Sequence, residues 1–229
     1  MGSTRLPGKV LMDLGGRSVL ARVVDRLSRS RTIDSMLVAT STNNENHAIA
    51  AECERLRVSC FRGSEQDVLD RYVRAARASN ADAVVRITAD CPLIDSEVVD
   101  IVVHEFINQR ADYTSNVLPR TYPRGLDTEV ISRAALERAW VEAVEPHQRE
   151  HVTPYFYEHP EIFRLASTRA ESDYSIHRWT LDTREDLELI CNIYSRFADR
   201  EYFSWREVLE VLEGEPELLA INAKVQQAV

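Results

Sequence analysis

Short apolar runs alternate with amphipathic helical stretches through the first half of the chain, and no other feature restricts the fold as much. Ser18 is placed to cap a helix that runs to Leu27, with Val19, Leu20, Val23, Val24 and Leu27 at helical spacing. Met36 to Thr40 is short, apolar and bounded by polar residues, the pattern of a buried parallel strand. Asn43 to Leu56 reads as a helix, Val58 to Phe61 as a strand and Gln66 to Ala78 as a helix. A third strand, Ala83 to Thr88, ends at Ala89-Asp90-Cys91-Pro92, and a helix capped by Ser96 runs to Asn108. This β-α-β order predicts a parallel sheet covered by helices. Ligands of such sheets bind at the carboxyl ends of strands, where Asp90 lies.

The second half is less regular. Tyr113 to Asn116 and Thr128 to Ser132 read as strands around a turn-rich stretch, Pro119 to Gly125. Helices are predicted at Arg133 to Glu142, Arg149 to Tyr157, Glu185 to Arg196 and Trp205 to Leu212, the last on the outside. Arg164 to Ala166 and His177 to Leu181 read as strands. No repeat, linker or low-complexity tract divides the 229 residues, which suit one domain.

The formal charge of −9 argues against a duplex nucleic-acid partner, which would require a basic face. No apolar run approaches the ~18 residues of a membrane span, and no signal-peptide pattern is present, so a cytoplasmic protein without a membrane partner is expected. Cys53, Cys60, Cys91 and Cys191 lack C-x-x-C spacing and read as buried free thiols.

Against the acidic balance, the chain opens on Met1-Gly2-Ser3-Thr4-Arg5-Leu6-Pro7-Gly8-Lys9. Glycines allow close backbone approach, and Arg5 and Lys9 offer a bidentate fork and a point charge to a polyphosphate. It is not a P-loop, since the glycine spacing is one residue too long and no hydroxyl follows Lys9. The same composition also describes a solvated terminus. Asp90 is either a Mg²⁺ ligand or a turn residue, and Asp182, between a predicted strand and helix, stands the same way. Thr183 and Asp186 have capping-box spacing. Gly63-Ser64 suits either a nucleobase contact or an ordinary strand-to-helix turn. Tyr122, Arg124, Asp127 and Glu129, with Arg149, Glu150 and His151, are many polar groups for connectors and suit a polar, anionic acceptor such as a sugar acid. His147 and His151 have metal-compatible helical spacing but no third ligand of evident spacing.

Taken in order, Gly2-Ser3-Thr4-Arg5-Leu6-Pro7-Gly8-Lys9, Gly63-Ser64 with Asp67-Val68-Leu69-Asp70-Arg71, Val85 to Ile94, Arg120-Thr121-Tyr122-Pro123 with Gly125 to Val130, and Leu181-Asp182-Thr183 with Glu185-Asp186-Leu187 carry a family resemblance. The chain resembles cytidylyltransferases of the spore-coat polysaccharide biosynthesis type, which are similar to CMP-Kdo synthetases and acylneuraminate cytidylyltransferases. The resemblance covers nearly the whole chain. It implies an α/β, Rossmann-like, mostly parallel sheet with helices on both faces, in one domain over 1–229 whose 110–180 portion binds the acceptor and dimerises. It implies attack of a sugar hydroxyl or phosphate on the α-phosphorus of CTP with release of pyrophosphate, in a homodimer. Arg5 and Lys9 would hold the triphosphate. Gly2, Ser3, Gly63, Ser64 and Thr88 would contact the nucleotide, and Asp90 and Asp182 would bind Mg²⁺. Tyr122, Arg124, Asp127, Glu129, Arg149 and Glu150 would face the acceptor. Relatives carry an apolar strand and a Gln-Ala-Arg-like stretch before the opening motif. Met1 stands where these end, so the first strand is expected to be missing and the native start to lie upstream.

Two rival readings follow from the same residues. A glycosyltransferase using a nucleotide sugar would be expected to carry an Asp-x-Asp pair, where this chain has Thr88-Ala89-Asp90. A nucleotide-binding protein made inactive by loss of the first strand is the other.

Overall fold

A computed structural model describes residues 5–225, so Gly2 and Ser3 lie outside the described residues. The predicted alternation is present in the first half. It comprises α1 (Val19–Leu27), β1 (Leu37–Ser41), α2 (His47–Leu56), β2 (Ser59–Gly63), α3 (Val68–Ala78), β3 (Ala83–Arg86) and α4 (Ser96–Gln109). After it come β4 (Tyr113–Ser115), β5 (Glu129–Ser132), α5 (Arg133–Glu142), α6 (Pro146–His151), α7 (Pro154–Glu158), β6 (Leu165–Ser167), α8 (Arg184–Arg196), α9 (Trp205–Gly214) and α10 (Glu217–Asn222).

The described strands form two sheets. β1 and β2 pair in parallel from Leu37 opposite Ser59 to Ser41 opposite Gly63. The other sheet has the order β3-β5-β4-β6. There β5 runs antiparallel to both neighbours, and β4 pairs in parallel with β6. This is an α/β, Rossmann-like architecture in which the polar ends of β2 and β3 lead into the Gly63-Ser64 and Asp90 turns.

Helix ends follow the local sequence in most places. The Ser18 hydroxyl accepts from the Ala21 N–H, and Thr183 with Asp186 forms a reciprocal capping box on α8. The cap of α4 differs, being Asp95, which accepts from the Glu97 N–H. A carboxylate serves better there because it also accepts from the Trp205 N–H at 2.9 Å and the Tyr202 hydroxyl at 3.1 Å, which one hydroxyl could not do in fixed geometry. The predicted helix over 149–157 is broken into α6 and α7. Val152 takes φ 72, and Pro154 has no N–H to extend α6, so it starts α7 at its first position.

His177 to Leu181 is not a strand. It makes one isolated bridge, Arg178 to Arg124, with main-chain bonds on either side. Gly125, at φ 108, makes this approach possible, since a Cβ there would sit 2.7 Å from the Trp179 carbonyl oxygen. As expected, α9 packs on the outside by one face, with Arg206, Glu210 and Glu213 exposed on the other. Its Trp205, Val208 and Leu212 are buried in the largest apolar cluster with Leu6, Leu14, Trp179, Leu181 and Ile190. An amphipathic stripe shows that one face is covered, but not by what. Cys53 and Cys91 are buried as expected, whereas Cys60 and Cys191 are exposed, and all four are free thiols.

Candidate active site

The opening loop is held close to two carboxylates. Gly8 adopts φ 71, a conformation that glycine enters at no steric cost, and turns the chain into a short 3₁₀ segment, Lys9–Leu11. Lys9 then donates from Nζ to Asp90 Oδ2 at 2.6 Å and to Asp182 Oδ1 at 2.7 Å. The two carboxylates, 92 positions apart by number, thus share one ammonium. A main-chain bond reinforces the pairing, since the Leu181 N–H donates to the Asp90 carbonyl at 2.8 Å.

Asp182 sits among three cations. Besides Lys9 it meets Arg5 at 3.2 Å and Arg178 at 2.7 Å. Burial pushes the Asp182 carboxyl up, but the hydrogen bonds and charges of Lys9 and Arg178 outweigh it, and its pKa falls below the ordinary value. For Lys9, burial favours the neutral amine, yet the charges and hydrogen bonds of Asp90 and Asp182 prevail and raise its pKa. The loop therefore keeps a full positive charge at neutral pH.

Behind this cluster stands Asp186, which the sequence marks as a helix cap but not as the anchor of Arg178. Asp186 is fully buried and accepts from Arg178 Nε at 3.0 Å, Asn222 Nδ2 at 2.9 Å, and the N–H groups of Asp182 and Thr183 at 3.0 Å each. It fixes both Arg178 and the backbone of Asp182. Spacing of four from Arg178 to Asp182 and again to Asp186 was the available signal, but it carries no such meaning in a stretch read as a strand.

Gly63 and Ser64 close β2. A Cβ on Gly63 would meet Arg71 Cγ at 3.0 Å, and the Ser64 hydroxyl accepts from the Asp67 N–H at 3.0 Å. Arg71 also donates to the Ser64 carbonyl, so the turn is well fixed. Thr88 Oγ1 lies 3.2 Å from Cys91 Sγ and borders a cavity of about 350 Å³.

This cavity gathers part of the expected acceptor set. Arg124, Asp127 and Glu129 line it together with Arg86 and Arg120. Most of these charges are already paired. Arg120 grips Asp127 through two bonds of 2.5 and 2.8 Å. Glu129 is buried and accepts from Arg86 and from the Tyr113 hydroxyl, the latter at 2.6 Å. Arg124 differs, having no hydrogen-bonded side-chain partner among the described residues. Burial, then the neighbouring charge of Arg120, lowers its pKa.

Three expected acceptor residues are not brought to the cavity lining. Tyr122 is buried against Trp205 in the main apolar cluster. Arg149 donates to Asp67, the cap of α3, and to the Trp140 carbonyl at 2.7 Å, so it ties α6 to the scaffold. Glu150 is exposed on α6. His147 pairs with Glu158 at 2.8 Å, linking α6 to α7. A second cavity, of about 380 Å³, lies beside α1 and α8, but the Arg22 and Arg26 that line it donate to main-chain carbonyls.

Among the described residues, no place gathers three His, Cys, Asp or Glu side chains that could hold a metal ion. Asp90 and Asp182 offer two carboxylates around one ammonium. That donor set fits Mg²⁺, which takes one or two carboxylates and completes its shell with water and substrate phosphates.

Comparison with known proteins shows the family of the chain. The sequence profile described as "Cytidylyltransferase" matches residues 1–208. An uncharacterised protein of Methanocaldococcus jannaschii is 38% identical over 228 residues, 99% of this chain and 92% of the relative. The spore coat polysaccharide biosynthesis protein SpsF of Bacillus subtilis is 34% identical over 95% of this chain and 92% of its own length. A solved structure of a cytidylyltransferase from Leptospira borgpetersenii superposes with a TM-score of 0.92 at 35% identity. It covers all of this chain and 94% of the other.

Proposed function

The chain belongs to the cytidylyltransferase family, and from that premise we propose that it joins CTP to a sugar acid or related sugar, for surface polysaccharide or glycan synthesis. The products are a CMP-sugar and pyrophosphate. The observation that carries this reading is the Lys9 ammonium held between Asp90 and Asp182 at the mouth of the opening loop. Such a cluster of opposite charges is suited to receive a metal–triphosphate, because it contains both the carboxylates for the cation and the cations for the phosphates.

In the proposed reaction an acceptor hydroxyl oxygen forms a bond to the α-phosphorus and gives up its proton to water, and the bond to the α–β bridging oxygen breaks, so that pyrophosphate leaves. Little covalent chemistry falls to the protein, whose task is in-line placement and charge neutralisation. Arg5 and Lys9 neutralise the triphosphate, and Asp90 and Asp182 would hold Mg²⁺. When bound, that ion supplies charge neutralisation and orientation at the phosphates. Gly63, Ser64 and Thr88 border the nucleotide. Arg124, half-buried and without an anionic partner among the described residues, is placed to receive the acceptor's negative group, with Asp127 and Glu129 shaping the wall.

No described helix is long and apolar enough to cross a membrane. A cytoplasmic homodimer is the assembly we propose. Val141 and Val144, 71% and 79% exposed, are apolar residues that a second copy would cover, and light scattering reports it.

The decisive assay is pyrophosphate release with each nucleoside triphosphate against a panel of sugar acids and sugar phosphates, with and without EDTA. Release that requires CTP, an acidic acceptor and a divalent ion supports the reading. Glycosyl transfer from a preformed nucleotide sugar, without pyrophosphate, would overturn it.

A further inference from the structure

Two cysteines outside the nucleotide and acceptor sites are brought together by a local turn. Arg57, at φ 58, ends α2, and the Val58 N–H donates back to the Cys53 carbonyl at 3.0 Å. The chain then reverses into β2. Cys53 is fully buried with Leu20 and Ile49, and Val38, Leu56 and Val58 pack on that same cluster. Cys60 lies two positions beyond Val58 and directly opposite Val38 in the parallel ladder. Side chains alternate between the faces of a strand, so Cys60 shares the face of Val58 and Val38, the face turned towards Cys53. Burial and the neighbouring Cys60 thiol push the Cys53 thiol up to about 12. Cys60 is exposed and Cys53 is not.

We propose that Cys53 and Cys60 form a reversible disulfide when the protein meets a small-molecule disulfide as oxidant, with Cys60 attacking first and Cys53 resolving the adduct. In the first step Cys60 Sγ, having lost its proton, bonds to one sulfur of oxidised glutathione. The glutathione S–S bond breaks, and the departing thiolate takes up a proton. In the second step Cys53 Sγ bonds to Cys60 Sγ, the mixed disulfide breaks, and the Cys53 proton ends on the second glutathione. Two cysteine thiols are oxidised and one glutathione disulfide is reduced to two thiols, so protons and electrons balance. The order follows from access, since the attacking thiol must reach the oxidant and the resolving thiol need only reach its neighbour. The product staples the last turn of α2 to β2.

The test uses the full chain and oxidised glutathione. The reaction is quenched by alkylation and the tryptic peptides are mapped by mass, cleavage at Arg55 and Arg57 separating the two cysteines. The expected product is a Cys53–Cys60 cross-linked pair, two hydrogens lighter than the reduced peptides and released by dithiothreitol. In Cys53→Ser, Cys60 accumulates the glutathione adduct at least ten-fold over wild type. In Cys60→Ser, Cys53 stays unmodified. Cys53→Ala serves as a second variant with the same expectation if the buried hydroxyl unfolds the chain. The proposal is overturned if wild type keeps glutathione on Cys60 as fully as Cys53→Ser does. Modification of Cys191 with Cys60 untouched would overturn it as well.

Discussion

The Lys9 cluster and the cavity lined by Arg120 and Arg124 are both built from cations and carboxylates, yet they use charge in opposite ways. Around Lys9, charges converge on shared atoms, with one ammonium serving two carboxylates and Asp182 facing three cations. In the cavity, charges are matched one to one, Arg120 with Asp127 and Arg86 with Glu129, leaving Arg124 as the group without an ionic partner among the described residues. A convergent cluster is poised to exchange its internal cations for a ligand's. A matched set defines a shape and presents one charge to the ligand. Residue type alone does not separate these cases; connectivity does.

The largest test of this contrast is removal of a convergent carboxylate. Asp90→Ala and Asp182→Ala are each expected to lower CTP-dependent pyrophosphate release by on the order of 10²–10³, with the fold intact by circular dichroism. Retained activity would end the metal assignment. Lys9→Met is next. It leaves two part-buried carboxylates without their shared cation, and we expect a drop of about 1–3 kcal/mol in urea unfolding, between the values for exposed and buried pairs, along with a loss of activity.

In the cavity the effects should separate. Arg124→Ala is expected to raise the KM for an acidic acceptor about ten-fold or more, with stability changed by less than about 0.5 kcal/mol. Arg120→Ala leaves Asp127 unmatched and should lower stability as well. Equal stability losses in the two variants would erase the distinction. Acid titration gives a smaller effect. The Asp182 pKa is lowered in the folded state, so its contribution is present above the unfolded value near 3.9 and lost as pH falls through the folded value. Asp182→Asn should flatten unfolding free energy against pH in that window. The smallest effect is Arg149→Ala, expected to cost about 1 kcal/mol in urea unfolding and to leave the acceptor KM unchanged, because Arg149 braces α3 against α6.

Much of the site could be read from the sequence because its residues punctuate local structure. Asp90 follows a short apolar strand, and Thr183 with Asp186 marks the start of α8. The partner of Arg149 was not legible, since Asp67 lies 82 residues away in the sequence. Nor was the packing of Tyr122, whose ring lies edge-on against Trp205 within a polar stretch of sequence.

By itself the sequence determined the α/β alternation, the caps at Ser18 and Thr183, the two carboxylates at element ends and the basic opening loop. These rest on periodicity and capping, which act over a few residues. Only the tertiary structure decided that Lys9 joins Asp90 to Asp182, that buried Asp186 holds Arg178 in place, and that Arg120 pairs with Asp127 while Arg124 forms no ion pair among the described residues. The physical reason is that a charge acquires its role from whichever opposite charge lies within a few ångströms, and long-range packing brings that partner there.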